Sequence, residues 1–116
     1  MKVTSVTVGL PVRNLRRAED WYRKVFELTG DAVEPAPGLV ELTLGPIDLQ
    51  LIEDADAQPG THNGLRVGVD DAAAEHARLT TLGLELDPVE HVPGAVDYFD
   101  FTDPDGNTLG VYSLAT

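Results

Sequence analysis

The side chains able to do chemistry are few, and most fall on alternate positions of short apolar runs. There are three histidines, His62, His76 and His91, and no cysteine. The missing thiols remove disulfides, thiolate metal sites and thiol nucleophiles together. His62 ends a polar linker, His76 lies beside Glu75 in a helical stretch where water would solvate it, and His91 sits in a loop bounded by Pro88 and Pro93. No two of them stand four apart on one helix, the spacing that brings two imidazoles to one metal. The remaining candidates are Glu41, Asp48, Gln50 and Asp100, one base, Arg66, and the rings of Tyr98 and Tyr112, with Thr7 as a hydroxyl. Aromatic faces beside carboxylates suit a flat, partly apolar cation, each cation–π contact adding roughly 0.5–2 kcal/mol. The same residues could instead close an ion-pair network around Arg66. Glu41, with Asp48 or Asp100, could also serve as a metal-free general base, given a raised pKa. Gly-rich phosphate loops and Gly-x-Ser-x-Gly are both absent, and no serine or threonine stands at a spacing from histidine that suggests a triad.

The elements that must position these residues come from the apolar periods. Val6, Val8, Leu10 and Val12 alternate, which predicts a strand over residues 2–12 with one buried face. Asn14 can cap a helix whose face carries Leu15, Ala18, Trp21, Tyr22, Val25 and Phe26, with Gly30 as its end and both Trp21 and Tyr22 in the core. A short extended piece at 31–34, a strand at 39–44 and a strand at 47–53 follow, separated by Pro-Gly and Gly-Pro turns. The linker 54–61 has no apolar period. Beyond it Leu65, Val67 and Val69 alternate, Asp70 or Asp71 caps a helix to about residue 82, Gly83 closes it, and strands are expected at 84–89, 96–101 and 107–113. Val12 and Asn14 lie 57 positions before Val69 and Asp71, and Gly45-Pro46-Ile47 lies 60 before Asp105-Gly106-Asn107. The order is therefore βαβββ twice, an α+β fold of two tandem modules, 1–56 and 62–116, in one domain of 116 residues. Mixed sheets should curl around a cleft with the helices outside.

Parity then names the open face. In the first module it carries Ser5, Thr7, Gly9, Glu41, Thr43, Asp48, Gln50 and Ile52; in the second, Gly64, Arg66, Gly68, Tyr98, Asp100, Thr108, Gly110 and Tyr112. Its four glycines, 9, 64, 68 and 110, either clear room for a ligand or mark bulges and curvature.

Eight basic against 20 acidic residues give a net charge of −12 and leave no basic patch for nucleic acid, since the bases gather mostly in the first helix. The acidity serves solubility or draws cationic ligands. No apolar run approaches the roughly 18 residues of a membrane span, and the N-terminal residues lack the pattern of a signal peptide, so a cytoplasmic protein is expected.

The stretches GLPVRNLRRAEDWYRKVFEL (9–28) and FTDPDGNTLGVYS (101–113) resemble the opening strand–helix and closing hairpin of the vicinal-oxygen-chelate superfamily, the glyoxalase, bleomycin-resistance and extradiol-dioxygenase fold. The DPDGN turn is explained by turn chemistry alone, whatever the protein does. The resemblance implies the paired-module fold, a homodimer and a cleft for a small organic molecule. It also implies a divalent metal at four strand positions, which in this sequence hold Thr7, Gln50, Gly64 and Gly110. Only Gln50 is a plausible ligand there, so no metal and no other cofactor is expected, unless a shift of two residues brings His62 into place. The expected function is metal-independent binding of a small molecule, such as a cationic aromatic compound or antibiotic, through Thr7, Glu41, Asp48, Gln50, Arg66, Tyr98, Asp100 and Tyr112. The alternative is a lyase, isomerase or dioxygenase using the same cleft.

Overall fold

A computed structural model describes residues 1–58 and 63–115. The chain divides into two compact units, Met1–Pro59 and Gly60–Thr116. His62, the residue that a shift of two would bring to the metal position, lies outside the described residues.

In the first unit, β1 (Thr7–Val12) is followed by α1 (Leu15–Phe26), β2 (Leu39–Leu44) and β3 (Ile47–Glu53). The sheet order is β1-β3-β2, with β1 parallel and β2 antiparallel to β3. Alternation does what it predicts from Leu10 onward: Leu10, Val12, Val40, Leu42, Leu44, Leu49 and Leu51 are buried beneath α1. Strand β1 begins at Thr7 rather than residue 2, and Val6 is left exposed. Asn14 caps α1, its Oδ1 accepting from the Arg17 amide at 2.9 Å. The helix stops at Phe26, short of Gly30, because Glu27 turns into the left-handed region at φ 55°. The Arg23 guanidinium, paired with Glu19, donates to the Gly30 carbonyl at 2.7 Å and holds the departing chain. Of the two aromatic neighbours expected in the core, only one is fully enclosed. Tyr22 is completely buried, edge-on to Trp21 and stacked on Phe26, whereas Trp21 is half-buried.

In the second unit, β4 (Asn63–Gly68), α2 (Ala72–Thr81), β5 (Glu90–Val92), β6 (Val96–Thr102) and β7 (Thr108–Leu114) form a sheet of order β4-β7-β6-β5. Strand β4 runs parallel to β7, and the other neighbours are antiparallel. Leu65, Phe99, Phe101, Leu109 and Val111 bury one face, together with Ala72 and Leu79 of α2. Asp71 caps α2 through the Ala74 amide, and Gly83 follows its end at φ 88°. The Ala72 amide, orphaned as the first N–H of the helix, donates to the buried Ser113 Oγ of β7 at 2.9 Å. Ser113→Ala strands that donor, and a cost of about 1–2 kcal/mol is expected, read as a lower urea midpoint with an unchanged slope.

The short extended piece expected at 31–34 is present as one bridge, and the strand expected at 84–89 is cut to one bridge as well, for the same reason. Residues 31–34 make a single bridge, Val33 to Glu41, before Pro35, and residues 84–89 make one, Leu86 to Phe101, before Pro88. A proline offers no N–H to extend a ladder. The chain re-enters the sheet only at β5, which places His91 on a strand rather than in a loop. There His91 Nδ1 meets Asp97 Oδ1 at 2.5 Å. His76 also departs from expectation. It is half-buried, with its ring edge-on to Phe99 and Nε2 bonded to the Asp87 carbonyl oxygen at 2.9 Å.

Candidate functional site

The open face of the second sheet is ordered in rows, because register sets residues of neighbouring strands side by side. At one end stand Val92, Val96 and Leu114; next come Glu90, Tyr98, Tyr112 and Gly68; then Asp100, Gly110 and Arg66; and finally Thr102 and Thr108. Polarity therefore rises along the strands, from exposed Val92 and Leu114 through two phenols to an ion pair and two hydroxyls. Sequence reasoning missed the apolar row, since it placed Val92 in a loop.

Arg66 and Asp100 meet as a two-point pair. Nη1 lies 3.1 Å from Oδ1, and Nη2 donates to Oδ2 at 3.3 Å. The Arg66 side chain is 58% exposed while its charge is balanced by Asp100. Asp100 Oδ1 is buried and makes no hydrogen bond, its contact with Arg66 being an ion pair without aligned geometry. A cavity of 530 Å³ opens beside the pair, its lining including Glu85, Asp87, Asp100, Thr102 and Thr108. A second, of 330 Å³, is lined by Gly64, Arg66, Thr108 and Leu109.

The glycines on this face do different things. Gly64 sits where the β4–β7 register shifts between Asn63 and Leu65, so it marks a bulge rather than a ligand position. A Cβ at Gly68 would lie 3.0 Å from Cζ and Oη of Tyr112. One at Gly110 would lie 2.8 Å from Asp100 Oδ1 and 3.0 Å from Arg66 Cγ. The room at these two positions is thus taken by neighbouring side chains, not left open.

In the first unit, Gln50 Nε2 donates to Glu41 Oε1 at 2.9 Å, tying two predicted ligand residues to each other. Thr7 pairs with Asp48, and Asp48 with Thr43, in the adjoining row. Thr7 is exposed, while Glu41, Asp48 and Gln50 are half-buried.

The four positions where the resemblance implies a metal do not fit one. Gln50 is tied to Glu41, Thr7 offers a weak hydroxyl ligand, Gly64 is a bulge, and Gly110 has no room even for a Cβ. Among the described residues no three histidine, aspartate or glutamate side chains gather as a metal site, and no helix is long and apolar enough to cross a membrane.

A family model, described as the Glyoxalase/Bleomycin resistance protein/Dioxygenase superfamily, matches residues 4–111. Among solved structures the chain is similar to TnmS3, an antibiotic binding protein from Streptomyces sp. CB03234, with 25% identity over 99% of each chain and a TM-score of 0.83. It is also similar to a glyoxalase/bleomycin resistance protein from the same organism, with 26% identity over 93% of this chain and 98% of that one, and a TM-score of 0.74. Lactoylglutathione lyase from Agrobacterium tumefaciens shares the fold at 22% identity, covering 97% and 95% of the two chains with a TM-score of 0.78. No curated protein matches in sequence.

Proposed function

The chain belongs to the glyoxalase/bleomycin resistance protein/dioxygenase superfamily, and from that premise we propose that it is a metal-independent binding protein for a small cationic aromatic molecule, such as an antibiotic. It holds this ligand by contact and does not react with it. The observation that carries the reading is the second sheet's open face, where Tyr98 and Tyr112 stand one row from the Arg66–Asp100 pair, whose two members each border a cavity. Ring faces attract a cation, and Arg66 does not repel it because Asp100 balances its charge. Glu85 and Asp87 add negative charge at the rim of the larger cavity, and the net charge of −12 favours encounter with cations. In the first unit, Thr7, Glu41, Asp48 and Gln50 present acceptors on its open face. The antibiotic binding protein among the similar structures supports the same assignment. The metal-poor donor set among the described residues argues against the metal-dependent chemistry of other superfamily members. The protein works in the cytoplasm as a homodimer, which a native mass of twice the chain would support.

Metal analysis of tag-free protein, followed by turnover assays with added nickel, manganese and iron, tests the reading. Metal well below one equivalent and no turnover are expected. A full equivalent of one metal, with turnover that depends on it, would replace the binder with an enzyme.

A further inference from the structure

The glycines of the second sheet set the shape of what can bind there. Tyr112 is paired across the sheet with Gly68, and its phenol end lies within 3.0 Å of where a Gly68 Cβ would stand. A tyrosine standing upright from β7 could not reach that point. The ring is therefore laid across the sheet, over bare backbone. One row further along, Gly110 lies between Arg66 and Asp100, and both side chains fold over it to meet. These two low-lying groups are neighbours, since residues 110 and 112 share a face of β7 roughly 7 Å apart.

Building on the binding reading above, we propose that Gly68 and Gly110 are positioning residues that lower Tyr112 and the Arg66–Asp100 pair into one floor, and that the ligand is a planar cation of fused rings lying flat across both. A single ring would cover only one row, whereas fused rings span the phenol and the guanidinium plane, each of which stacks on aromatic faces. The rows also orient it. The apolar edge points toward Val96 and Leu114, and the charged edge points toward Thr108 and the cavity bordered by Glu85 and Asp87.

The test compares proflavine, a planar three-ring cation, with 1-adamantylammonium, a globular one, by titration against the wild type and glycine variants. In Gly68→Ala the new methyl meets the end of the Tyr112 ring, and in Gly110→Ala it meets the tip of the Asp100 carboxylate and Cγ of Arg66, so these side chains must lift and the floor is raised, with a thermal melt checking that each variant is folded. Gly30→Ala is the control, since its methyl meets nothing within 4 Å. Tyr112→Leu, at a position 38% exposed, probes the floor without a backbone change. Wild type and Gly30→Ala should prefer proflavine by about tenfold or more, and that preference should collapse in the other three variants. If the two probes bind the wild type equally, or if Gly68→Ala, Gly110→Ala and Tyr112→Leu all keep the preference, the flat floor is wrong while the binding function stands. If neither probe binds the wild type, both the floor and the cationic-ligand reading fall.

Discussion

Tyr22→Ala should destabilise the protein by about 4 kcal/mol, a large part of the roughly 5–15 kcal/mol that holds a domain together. Tyr22 has no exposed surface and sits at the centre of an aromatic triplet, 4.9 Å from the Trp21 ring centroid and 5.8 Å from that of Phe26. Truncation empties a large volume that α1 cannot collapse into, because Ala18 and Val25 on either side are themselves buried against the sheet. It also forfeits two ring contacts worth about 0.5–1.5 kcal/mol each beyond the buried area. Trp21→Ala, at a half-buried site, should cost clearly less. Chemical denaturation of both variants decides the matter, and a larger loss at Trp21 than at Tyr22 would contradict this packing.

Asp103→Ala should cost about 3 kcal/mol, an unusual loss for a turn aspartate. The side chain is 4% exposed. Its Oδ1 accepts from the Asp105 amide at 2.9 Å and the Asn107 amide at 2.8 Å, while Oδ2 accepts from Asn107 Nδ2 at 2.8 Å. Removing the carboxylate strands three donors inside the protein, each costing on the order of 1 kcal/mol. Asp103→Asn should lose less, since its one oxygen can still serve the two amides, but its NH2 then confronts the Asn107 NH2. A loss near 1–2 kcal/mol is expected for it. Thermal melts in the order wild type, Asn, Ala would support this picture, whereas two variants indistinguishable from wild type would refute it. The same turn flanks Thr102 and Thr108 at the edge of the larger cavity, so its rigidity reaches the candidate site.

These two residues show what could be read from the sequence and what could not. Two-residue alternation at Leu49 and Leu51, or at Leu109 and Val111, fixes which side of a strand faces its helix, and that alone separated the core from the open face. Asn14 and Asp71 announced their helices because a cap is a local device. The ranking of Trp21 and Tyr22 was not local. They are adjacent on a 3.6-residue turn, and which of them points at the centre depends on how the helix rolls on its sheet. Asp103 looked like turn chemistry because burial of a hairpin end is set by distant packing. Residues 31–34 and 84–89 carried strand-like composition, yet Pro35 and Pro88 cut each to one bridge. Parity put Arg66, Asp100, Tyr98 and Tyr112 on the open face, and the register then made them neighbours. Parity alone could not show that Gly68 and Gly110 are occupied from the side, since that depends on the rotamers of other strands.

The central claim is that a ligand settles on the second sheet without help from a metal. A backbone-amide NMR titration with proflavine in excess EDTA tests it most directly. Resonances of Arg66, Gly68, Asp100, Gly110 and Tyr112 should shift together and saturate, with the first unit's helix unmoved. Shifts confined to other regions, or shifts that appear only once a divalent ion is restored, would contradict the account.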